Sequence, residues 1–295
     1  MYVFERPHIY IMGMPFSKKI KLFYYTGDHD AGEHNFGDEL SRFIIEKLYG
    51  PVELSSPSWC NAVSVGSLMH CFLTKKKWWL RVLYLIRPCV IVWGTGFIEQ
   101  PDLNDKKLLR RLDVRACRGF LTLEALKKMR DVKISKSVVL ADPGLLAGRF
   151  TPCAGSDKKY SLGIVPHYVD KNDPFLRNIT VKNSVLIDVQ QPPEAFMKEL
   201  SECELVISSS LHGLIAADSL GVPNIRMVIS DKISGGSFKF EDYYSAFKLD
   251  SHETIDLTRR TFSDEDLPVI TGNYKIKPEQ VSQLQDALLA AFPYI

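Results

Sequence analysis

The sequence from residue 205 to residue 223 places a histidine where a predicted strand is followed by a predicted helix. Residues 205–207 are an apolar run ended by three serines, and the apolar spacing from Leu211 to Leu220 is helical. His212 and Gly213 then fall in the first turn of the helix. Free backbone N–H groups and the helix dipole favour anions at this position of an open α/β sheet, and a histidine there can meet an anion or a reacting proton. The same residues also fit a buried histidine that caps its own helix.

Two charged residues occupy similar positions in the first half of the chain. Asn35-Phe36-Gly37-Asp38 opens a predicted helix, where Asp38 is either a substrate-facing carboxylate or only a cap. Arg118 follows a predicted strand at residues 112–116, and a guanidinium there can bind a carboxylate or phosphate through two hydrogen bonds. We therefore expect both residues to contribute to a site.

A glycine loop and a second histidine also follow predicted strands. Gly94-Thr95-Gly96 follows the apolar run at residues 89–93 and allows backbone to approach a ligand closely. The loop is not a dinucleotide fingerprint, because it lacks the third glycine and the distal acidic residue. His167 stands just past the predicted strand at residues 160–165.

Composition narrows the class of protein. The chain has 295 residues, 45% of them hydrophobic, which is enough for one large core or two of ordinary size. A formal net charge of +2 gives no argument for a nucleic-acid partner. Six scattered cysteines without a Cys-x-x-Cys pair favour a reduced, cytoplasmic protein over a disulfide framework or a zinc site.

The order of the predicted elements indicates an α/β fold. Strands and helices alternate along both halves, so we expect two Rossmann-like domains that face each other across a cleft. The polar stretch at residues 148–159 marks the boundary between an N-terminal domain, residues 1–152, and a C-terminal domain, residues 153–295. The last helix, residues 278–292, is a candidate to pack back on the N-terminal domain.

Two further stretches each have alternative interpretations. Lys75 to Arg87 interleaves basic residues with Trp, Leu and Tyr, as in a segment that lies on anionic lipid, but the pattern also fits an ordinary surface helix. The loop at residues 27–34 contains two histidines and several acidic residues, yet one short loop is weak support for a metal site, and we expect a solvated loop.

Taken together, the motifs resemble the polysaccharide pyruvyl transferase family. The resemblance rests on short pieces whose order and spacing span most of the chain: Asn35-Phe36-Gly37-Asp38, Gly94-Thr95-Gly96, Arg118-Gly119-Phe120-Leu121-Thr122, Asp142-Pro143-Gly144-Leu145-Leu146, Ser210-Leu211-His212-Gly213 and the Gly235-Gly236 loop with its following aromatic residues. It implies a fold like that of the two-domain GT-B glycosyltransferases. It also implies phosphoenolpyruvate as the donor and co-substrate, a sugar acceptor on which a pyruvate ketal is formed, and no obligatory metal or other cofactor.

The resemblance also suggests roles for the candidate residues. Arg118 would bind the donor anion, His212 would transfer a proton or contact phosphate, and Asp38 would be a hydroxyl-orienting base on the facing domain. The candidate substrate-binding residues are Asn35, Gly37, Gly94, Thr95, Gly96, His167, Ser210, Leu211, Gly213, Lys232 and Lys239. One position departs from the family, which usually has arginine where this chain has Ser210. Lys232 and Lys239 are the candidates to supply the missing charge.

Two other classes of protein remain open at this point. A glycosyltransferase that uses a nucleotide-sugar fits the same architecture, although the C-terminal half shows no clear acidic partner for a ribose. A non-catalytic member that binds glycans is the second alternative, and it would use the Lys75 to Arg87 segment at the inner face of the membrane. A lipid-linked oligosaccharide is the leading expectation for the acceptor.

Overall fold

The computed structural model describes residues 19–26, 35–75, 86–104, 106–151, 157–249 and 252–292. The strands are β1 Ile20–Phe23, β2 Val52–Leu54, β3 Ala62–Val63, β4 Leu73–Thr74, β5 Val90–Trp93, β6 Lys107–Leu108, β7 Leu112–Cys117, β8 Val132–Leu140, β9 Tyr160–Val165, β10 Ser184–Leu186, β11 Cys203–Ser208, β12 Asn224–Val228 and β13 Thr254–Asp256. The α-helices are α1 Phe36–Tyr49, α2 Phe120–Lys127, α3 Ala147–Phe150, α4 Pro193–Ser201, α5 Leu211–Ser219, α6 Phe238–Ser245, α7 Leu267–Asn273 and α8 Pro278–Ala291.

The boundaries of α1 follow from its sequence. The side chain of Asn35 accepts a hydrogen bond from Gly37 N at 3.0 Å, which satisfies one of the free donors of the first turn. Asp38 and Glu39 lie in that turn, where the helix dipole favours negative charge. The helix ends at Gly50, whose φ of +88° is strained for residues with a side chain.

The N-terminal sheet has six parallel strands in the order β2-β1-β3-β5-β7-β8. The chain runs outward from β1 to β2, then returns to the other side of β1 and continues in one direction. The strand order therefore reverses between β1 and β3, where the connections leave in opposite directions. In open α/β sheets, a crevice forms at the carboxyl ends of the strands at such a point.

The C-terminal sheet repeats this arrangement with five parallel strands in the order β10-β9-β11-β12-β13. Its order reverses between β9 and β11. His167 follows the first of these strands and Ser209 follows the second. The expectation of an α/β protein with Rossmann-like parallel sheets is confirmed.

Each sheet has a buried apolar cluster of its own on one face, and a third cluster is shared by the two halves. Phe36 on α1 stacks on Phe196 of α4 at 4.1 Å between ring centroids, and the buried cluster around them contains apolar residues from both halves of the chain. The last helix, α8, contacts β7 and β8 of the N-terminal sheet. Its Leu288 carbonyl accepts a hydrogen bond from Trp93 Nε1 at 2.9 Å, and Phe292 just beyond it packs on the same indole.

A small antiparallel pair, β4 with β6, joins the N-terminal sheet to a basic surface described below. The Lys75 to Arg87 segment and the loop at residues 27–34 fall largely or wholly outside the described residues. Within the ranges that are described, no helix is both long enough and apolar enough to cross a membrane.

Candidate active site

A cleft of about 640 Å³ lies at the carboxyl ends of the strands, where the strand orders of both sheets reverse. This size suits a small organic anion together with part of a sugar. Its lining residues come from both halves of the chain: Tyr25, Thr26, Asn35, Asp38, Gly66, Ser67, His70, Ile98, His167, Tyr168, Val169, Ser210, Leu211, His212, Lys232, Ser234 and Lys239. The structure thus brings together eight of the sequence-predicted site residues: Asn35, Asp38, His167, Ser210, Leu211, His212, Lys232 and Lys239.

The first turn of α5 faces this cleft with its backbone donors. Ser210 is the N-cap residue, and its side chain makes no capping hydrogen bond. The turn before it is held by Ser208, whose hydroxyl accepts a hydrogen bond from Ser210 N at 3.0 Å and lies 2.8 Å from the carbonyl oxygen of Val165. The first N–H groups of α5 are therefore fixed in position without a side chain that satisfies them. A helix start of this kind binds anions.

His212 stands in that first turn and lines the cleft. Its Nε2 atom is buried and has no hydrogen-bond partner among the described residues. Burial, together with the nearby charges of Lys239 and Arg118, lowers the pKa of His212 to about 3. The imidazole is therefore neutral at physiological pH, and in this state it can accept a proton or donate one hydrogen bond.

Gly37 makes the approach of His212 to α1 feasible. A Cβ atom at position 37 would lie 2.9 Å from His212 Cγ and closer still to Nδ1. Only glycine leaves room for the imidazole to lie against the backbone of the first turn of α1. The sequence-predicted residue Gly37 therefore shapes the site from behind the histidine and does not line the cleft itself.

A buried hydrogen-bond network positions the second histidine. Ser209 accepts a hydrogen bond from His167 N at 2.9 Å and donates one to Asp170 Oδ2 at 2.9 Å. Asp170 also accepts a hydrogen bond from Ser230 at 2.5 Å. Burial lowers the pKa of His167 to about 4, and the charge of Lys239 acts in the same direction. The imidazoles of His167 and His212 are thus both neutral in a cleft that also contains the ammonium group of Lys239.

Lys239 and Lys232 both line the cleft but differ in their surroundings. Lys239 is 8% exposed, and its Nζ atom has no hydrogen-bond or ion-pair partner in the described part of the chain. Burial lowers its pKa to about 8, and the neighbouring cations Arg118 and Arg226 add to the effect. Lys232 is solvent-exposed and pairs with Asp173 at 2.9 Å. Lys239 is therefore the better placed of the two to bind an anion.

Asp38 is the carboxylate of the cleft. Burial raises its pKa to about 7, and the charge of Glu39 contributes in the same direction. About half of the Asp38 side chains are then protonated at neutral pH, so the group can either give or accept a proton there.

Arg118 differs from the expectation that it binds a donor anion directly, because the structure buries its guanidinium completely. Nε pairs with Asp242 at 3.0 Å, Nη1 donates to Ser67 Oγ at 2.7 Å, and Nη2 donates to the carbonyl of Phe97. The guanidinium is therefore engaged by protein partners on three sides. It contacts the cleft wall through Ser67, which lines the cleft, whereas Arg118 itself does not.

The glycine loop and Gly213 likewise support the site from outside the cleft. Thr95 is buried, donates to the Gly66 carbonyl at 2.6 Å and accepts from Leu68 N at 3.1 Å. A Cβ atom at Gly96 would lie 2.6 Å from Arg118 Cζ, and one at Gly213 would lie 2.5 Å from Ser208 Oγ. Gly94 has a φ of +93°, and a Cβ atom at this position would overlap the ring of Pro143. These glycines allow close packing of protein against protein, in contrast to the expected contact with a ligand.

Several lining residues at strand ends were not predicted from the sequence. Tyr25 and Thr26 follow β1, and Ser67 follows β3, which are the two strands that flank the point of reversal. They could have been predicted from their position directly after apolar runs, because residues that follow the strands beside the reversal point line the crevice. His70 gave no pattern of its own, and its Nδ1 atom accepts a hydrogen bond from Ile98 N at 3.2 Å.

The fold and the site define an α/β protein with an anion-suited cleft where both parallel sheets reverse their strand order. Comparison with known proteins agrees with this description. A family profile described as polysaccharide pyruvyl transferase matches residues 9–231, and the chain belongs to that family. Membership indicates a transferase.

Two relatives extend the comparison. The chain is 35% identical over 247 residues to the uncharacterized protein L143 of Acanthamoeba polyphaga mimivirus, covering 79% of this chain and 76% of the relative. It is 26% identical over 227 residues to the succinoglycan biosynthesis protein ExoV of Rhizobium meliloti (strain 1021), covering 76% of this chain and 64% of that protein. The chain thus spans just under two thirds of the ExoV length.

Proposed function

We propose that this protein transfers the pyruvyl unit of phosphoenolpyruvate to two hydroxyls of one sugar and forms a pyruvate ketal during synthesis of a surface polysaccharide. The two sheets would face the substrates in the manner of a GT-B glycosyltransferase. The observation that carries the proposal is the ammonium of the largely buried Lys239, which has no ion-pair partner among the described residues, in a cleft with neutral His212 at an uncapped helix start. Family membership supplies the reaction class.

Donor binding follows from the charge of the ligand and of the cleft. Phosphoenolpyruvate carries a phosphate and a carboxylate, so it needs cations or backbone donors for both ends. The first turn of α5 would take one anionic group and Lys239 the other. This assignment gives Lys239 the charge that the family's usual arginine supplies at the position of Ser210. Polar contacts from His167 and Ser234 would complete the binding of the donor.

The reaction needs two acceptor protons to be moved. One acceptor hydroxyl adds to C2 of the donor while the methylene carbon C3 gains a proton and becomes a methyl group. The bond between C2 and the phosphate oxygen then breaks, phosphate leaves with the bonding electrons, and the second hydroxyl adds to C2. Of the two hydroxyl protons released, one replaces the proton delivered to C3 and the other leaves with phosphate.

Two groups in the cleft suit these proton transfers. We assign acceptance of a hydroxyl proton to neutral His212 and delivery of a proton to C3 to protonated Asp38. Each group must be uncharged at the start of its step, and the lowered pKa of His212 and the raised pKa of Asp38 both favour the uncharged form. Phosphoenolpyruvate is a cytoplasmic metabolite, so the proposal also implies a cytoplasmic reaction.

Calorimetry of donor binding tests the proposal. Phosphoenolpyruvate should bind the wild-type protein, and Lys239→Met should weaken that binding by roughly 10- to 100-fold, the range for losing a charge-assisted contact. Lys232→Met is the matched control, since Lys232 lines the same cleft but is already paired with Asp173. In the presence of galactosyl, glucosyl and mannosyl acceptors, the wild-type protein should release phosphate and add one pyruvyl group to an acceptor.

The alternatives give different results in the same experiment. Binding of UDP-sugars without binding of phosphoenolpyruvate would replace the proposal with a glycosyltransferase. Binding of oligosaccharides without either donor would indicate a non-catalytic glycan-binding protein. Donor binding that Lys239→Met leaves intact would move the anion site away from α5.

A further inference from the structure

The amino ends of the N-terminal sheet carry a basic surface that the proposed reaction does not use. We name it the basic edge surface and define it by Lys106, Lys107, Lys128 and Arg130 together with Trp59 and Ile86. The four cations line a groove of about 440 Å³, and they outnumber its one acidic lining residue, Asp131. The other lining residues are Leu73, Leu103, Leu108 and Met129. None of these four cations forms an ion pair with another described residue.

Adjacent strands bring the members of this surface side by side. The segments that lead into β3, β5, β7 and β8 lie in that order along the sheet. Trp59, Ile86 and Arg130 lie in the loops before β3, β5 and β8, and Lys107 lies on the short strand β6 before β7. Hydrogen bonds link neighbouring loops: Arg87 Nη1 donates to Ser58 O at 3.0 Å, Arg111 Nη2 donates to Arg87 O at 3.1 Å, and Leu112 N donates to Asp131 O at 3.0 Å. The surface is therefore continuous along one edge.

Buried Arg110 holds the apolar part of this surface in place. Its guanidinium donates to the carbonyls of Ser58 at 2.7 Å and Pro88 at 2.8 Å, which fixes the loops that carry Trp59 and Ile86. Despite this fixed backbone, the Trp59 side chain is 61% exposed and that of Ile86 is 74% exposed. Large apolar side chains fixed outward beside clustered cations are typical of surfaces that enter the interfacial region of a bilayer.

We propose that the basic edge surface binds the phosphate headgroups of an anionic membrane. The groove has the volume for a phosphate-bearing headgroup, its cations match the negative charge, and its apolar lining matches the adjoining glycerol and acyl region. Trp59 and Ile86 would insert beside it. A single-stranded nucleic acid fits less well, because the described residues that line the groove include no aromatic side chain on which a base could stack.

The orientation follows from the sheet. The basic edge surface is at the amino ends of the strands, and the candidate active site is at their carboxyl ends. A protein bound through this surface keeps its cleft open on the far side. Membrane binding and donor binding are therefore separable, and phosphoenolpyruvate affinity reports an intact fold in variants of the surface.

Flotation with vesicles tests this inference. Vesicles of phosphatidylcholine with roughly a third phosphatidylglycerol should carry the wild-type protein upward at low salt, and phosphatidylcholine alone should not. Lys128→Glu with Arg130→Glu should reduce the bound fraction at least about tenfold, given the attraction of each basic residue to an anionic surface. Lys182→Glu with Lys198→Glu, two exposed lysines of the C-terminal half, changes the net charge equally and should have little effect.

A second pair of variants removes apolar contact without altering charge. Trp59→Ala should weaken vesicle binding, whereas Leu186→Ala, which trims an exposed apolar residue of the C-terminal sheet, should not. Equal loss in the two charge-reversed proteins would overturn the proposal in favour of a net-charge effect. Full binding by Lys128→Glu with Arg130→Glu, or preferential binding of a single-stranded oligonucleotide over the vesicles, would also overturn it.

Discussion

At the scale of single residues, the candidate site holds charges that folding disfavours. Burial raises the pKa of Asp38 above the usual carboxyl range and lowers that of Lys239 below the usual amine range. Each shift means that the charged form is less stable in the folded protein than in water. Buried ionisable groups of this kind are common at functional sites. Replacing either residue with an uncharged one should therefore raise the stability of the protein and lower its activity.

Asp38→Asn should make the protein more stable and less active. The folded-state pKa of about 7 exceeds the unfolded value, so the folded state binds more protons and the free energy of unfolding falls as pH rises from about 4 to about 7. Asparagine does not titrate, so it removes this dependence on pH. The substitution should raise the free energy of unfolding by roughly 2–4 kcal/mol at pH 8 and by little at pH 4. Urea unfolding at the two pH values measures the difference. A uniform loss of stability would mean that the carboxyl is held by favourable contacts.

Lys239 should set the alkaline limit of donor binding. Its ammonium is charged below a pKa of about 8, so affinity for phosphoenolpyruvate should be highest below that pH and fall as pH rises through it. Lys239→Arg keeps its charge and should remove the decline between pH 7 and pH 10. Calorimetric titrations across this range give the profile. An unchanged decline in Lys239→Arg would assign the titration to another group.

His212→Gln should separate proton transfer from donor binding. Glutamine can still donate and accept hydrogen bonds, but it cannot shuttle a proton, so turnover should fall by about 10²–10⁴ with near-normal donor affinity. Phosphate release at saturating donor gives the turnover, and calorimetry gives the affinity. The opposite result, lost donor binding with turnover kept at saturation, would assign His212 to anion recognition and leave Asp38 and His167 as candidates for proton transfer.

At the scale of secondary-structure elements, the first turns of α1 and α5 meet where Gly37 lies against His212. Gly37→Ala should push the two turns apart, at a cost of about 1–3 kcal/mol in stability and with weaker donor binding. Gly272→Ala is the matched control, because position 272 in α7 has no atom within 4 Å of a new Cβ. That substitution should stabilise the protein by about 0.5–1 kcal/mol. Thermal unfolding and calorimetry distinguish the two outcomes.

Local patterns predicted most elements of the fold. Residues 160–165 form the strand β9 with the predicted bounds, and α1 is bounded by Asn35 and Gly50 as the capping pattern indicated. The short edge strands β2 and β13 were missed, because so few residues on a half-exposed edge carry little periodic signal. The apolar run at residues 138–140 predicts a strand of three residues, whereas β8 begins at Val132. Its first half was missed because polar, exposed residues interrupt the apolar pattern there.

The candidate site was less predictable than the fold, since side-chain direction depends on distant partners. Arg118 stands at the expected strand end, but its guanidinium faces Asp242, which is 124 residues away in the chain. The sequence also offered Lys232 and Lys239 as equal candidates for one charge. Only the ion pair of Lys232 with Asp173 and the burial of Lys239 distinguish them.

At the scale of the whole molecule, a buried ion pair joins the two halves behind the cleft. Arg118 follows β7 of the N-terminal sheet, and Asp242 lies on α6, which connects β12 and β13 of the C-terminal sheet. Asp242 also accepts hydrogen bonds from Thr122 N at 2.8 Å and Thr122 Oγ1 at 2.7 Å. Both charged side chains are fully buried, so each depends on the other for compensation of its charge.

Arg118→Met should therefore act first on stability. It leaves the Asp242 carboxylate buried beside only two neutral donors, which should cost about 3–5 kcal/mol. Asp242→Asn in the same protein should recover part of that loss, and the double-mutant cycle gives the coupling between the two residues. Lys47→Met is the matched control, because Lys47 also bridges the two halves, through its pair with Glu194 at 3.6 Å, but does so with both side chains exposed to solvent. Its loss should cost about 1 kcal/mol or less.

Donor affinity shows whether Arg118 only joins the two halves or also binds the donor anion directly. If Arg118 only joins the halves, Arg118→Met combined with Asp242→Asn should regain stability and bind phosphoenolpyruvate with nearly the wild-type affinity, because Lys239 and the first turn of α5 are unchanged. If Arg118 binds the donor, that double variant should be stable but fail to bind it. Urea unfolding and calorimetry on the four proteins of the cycle decide between a residue that positions the cleft wall and one that contacts the substrate.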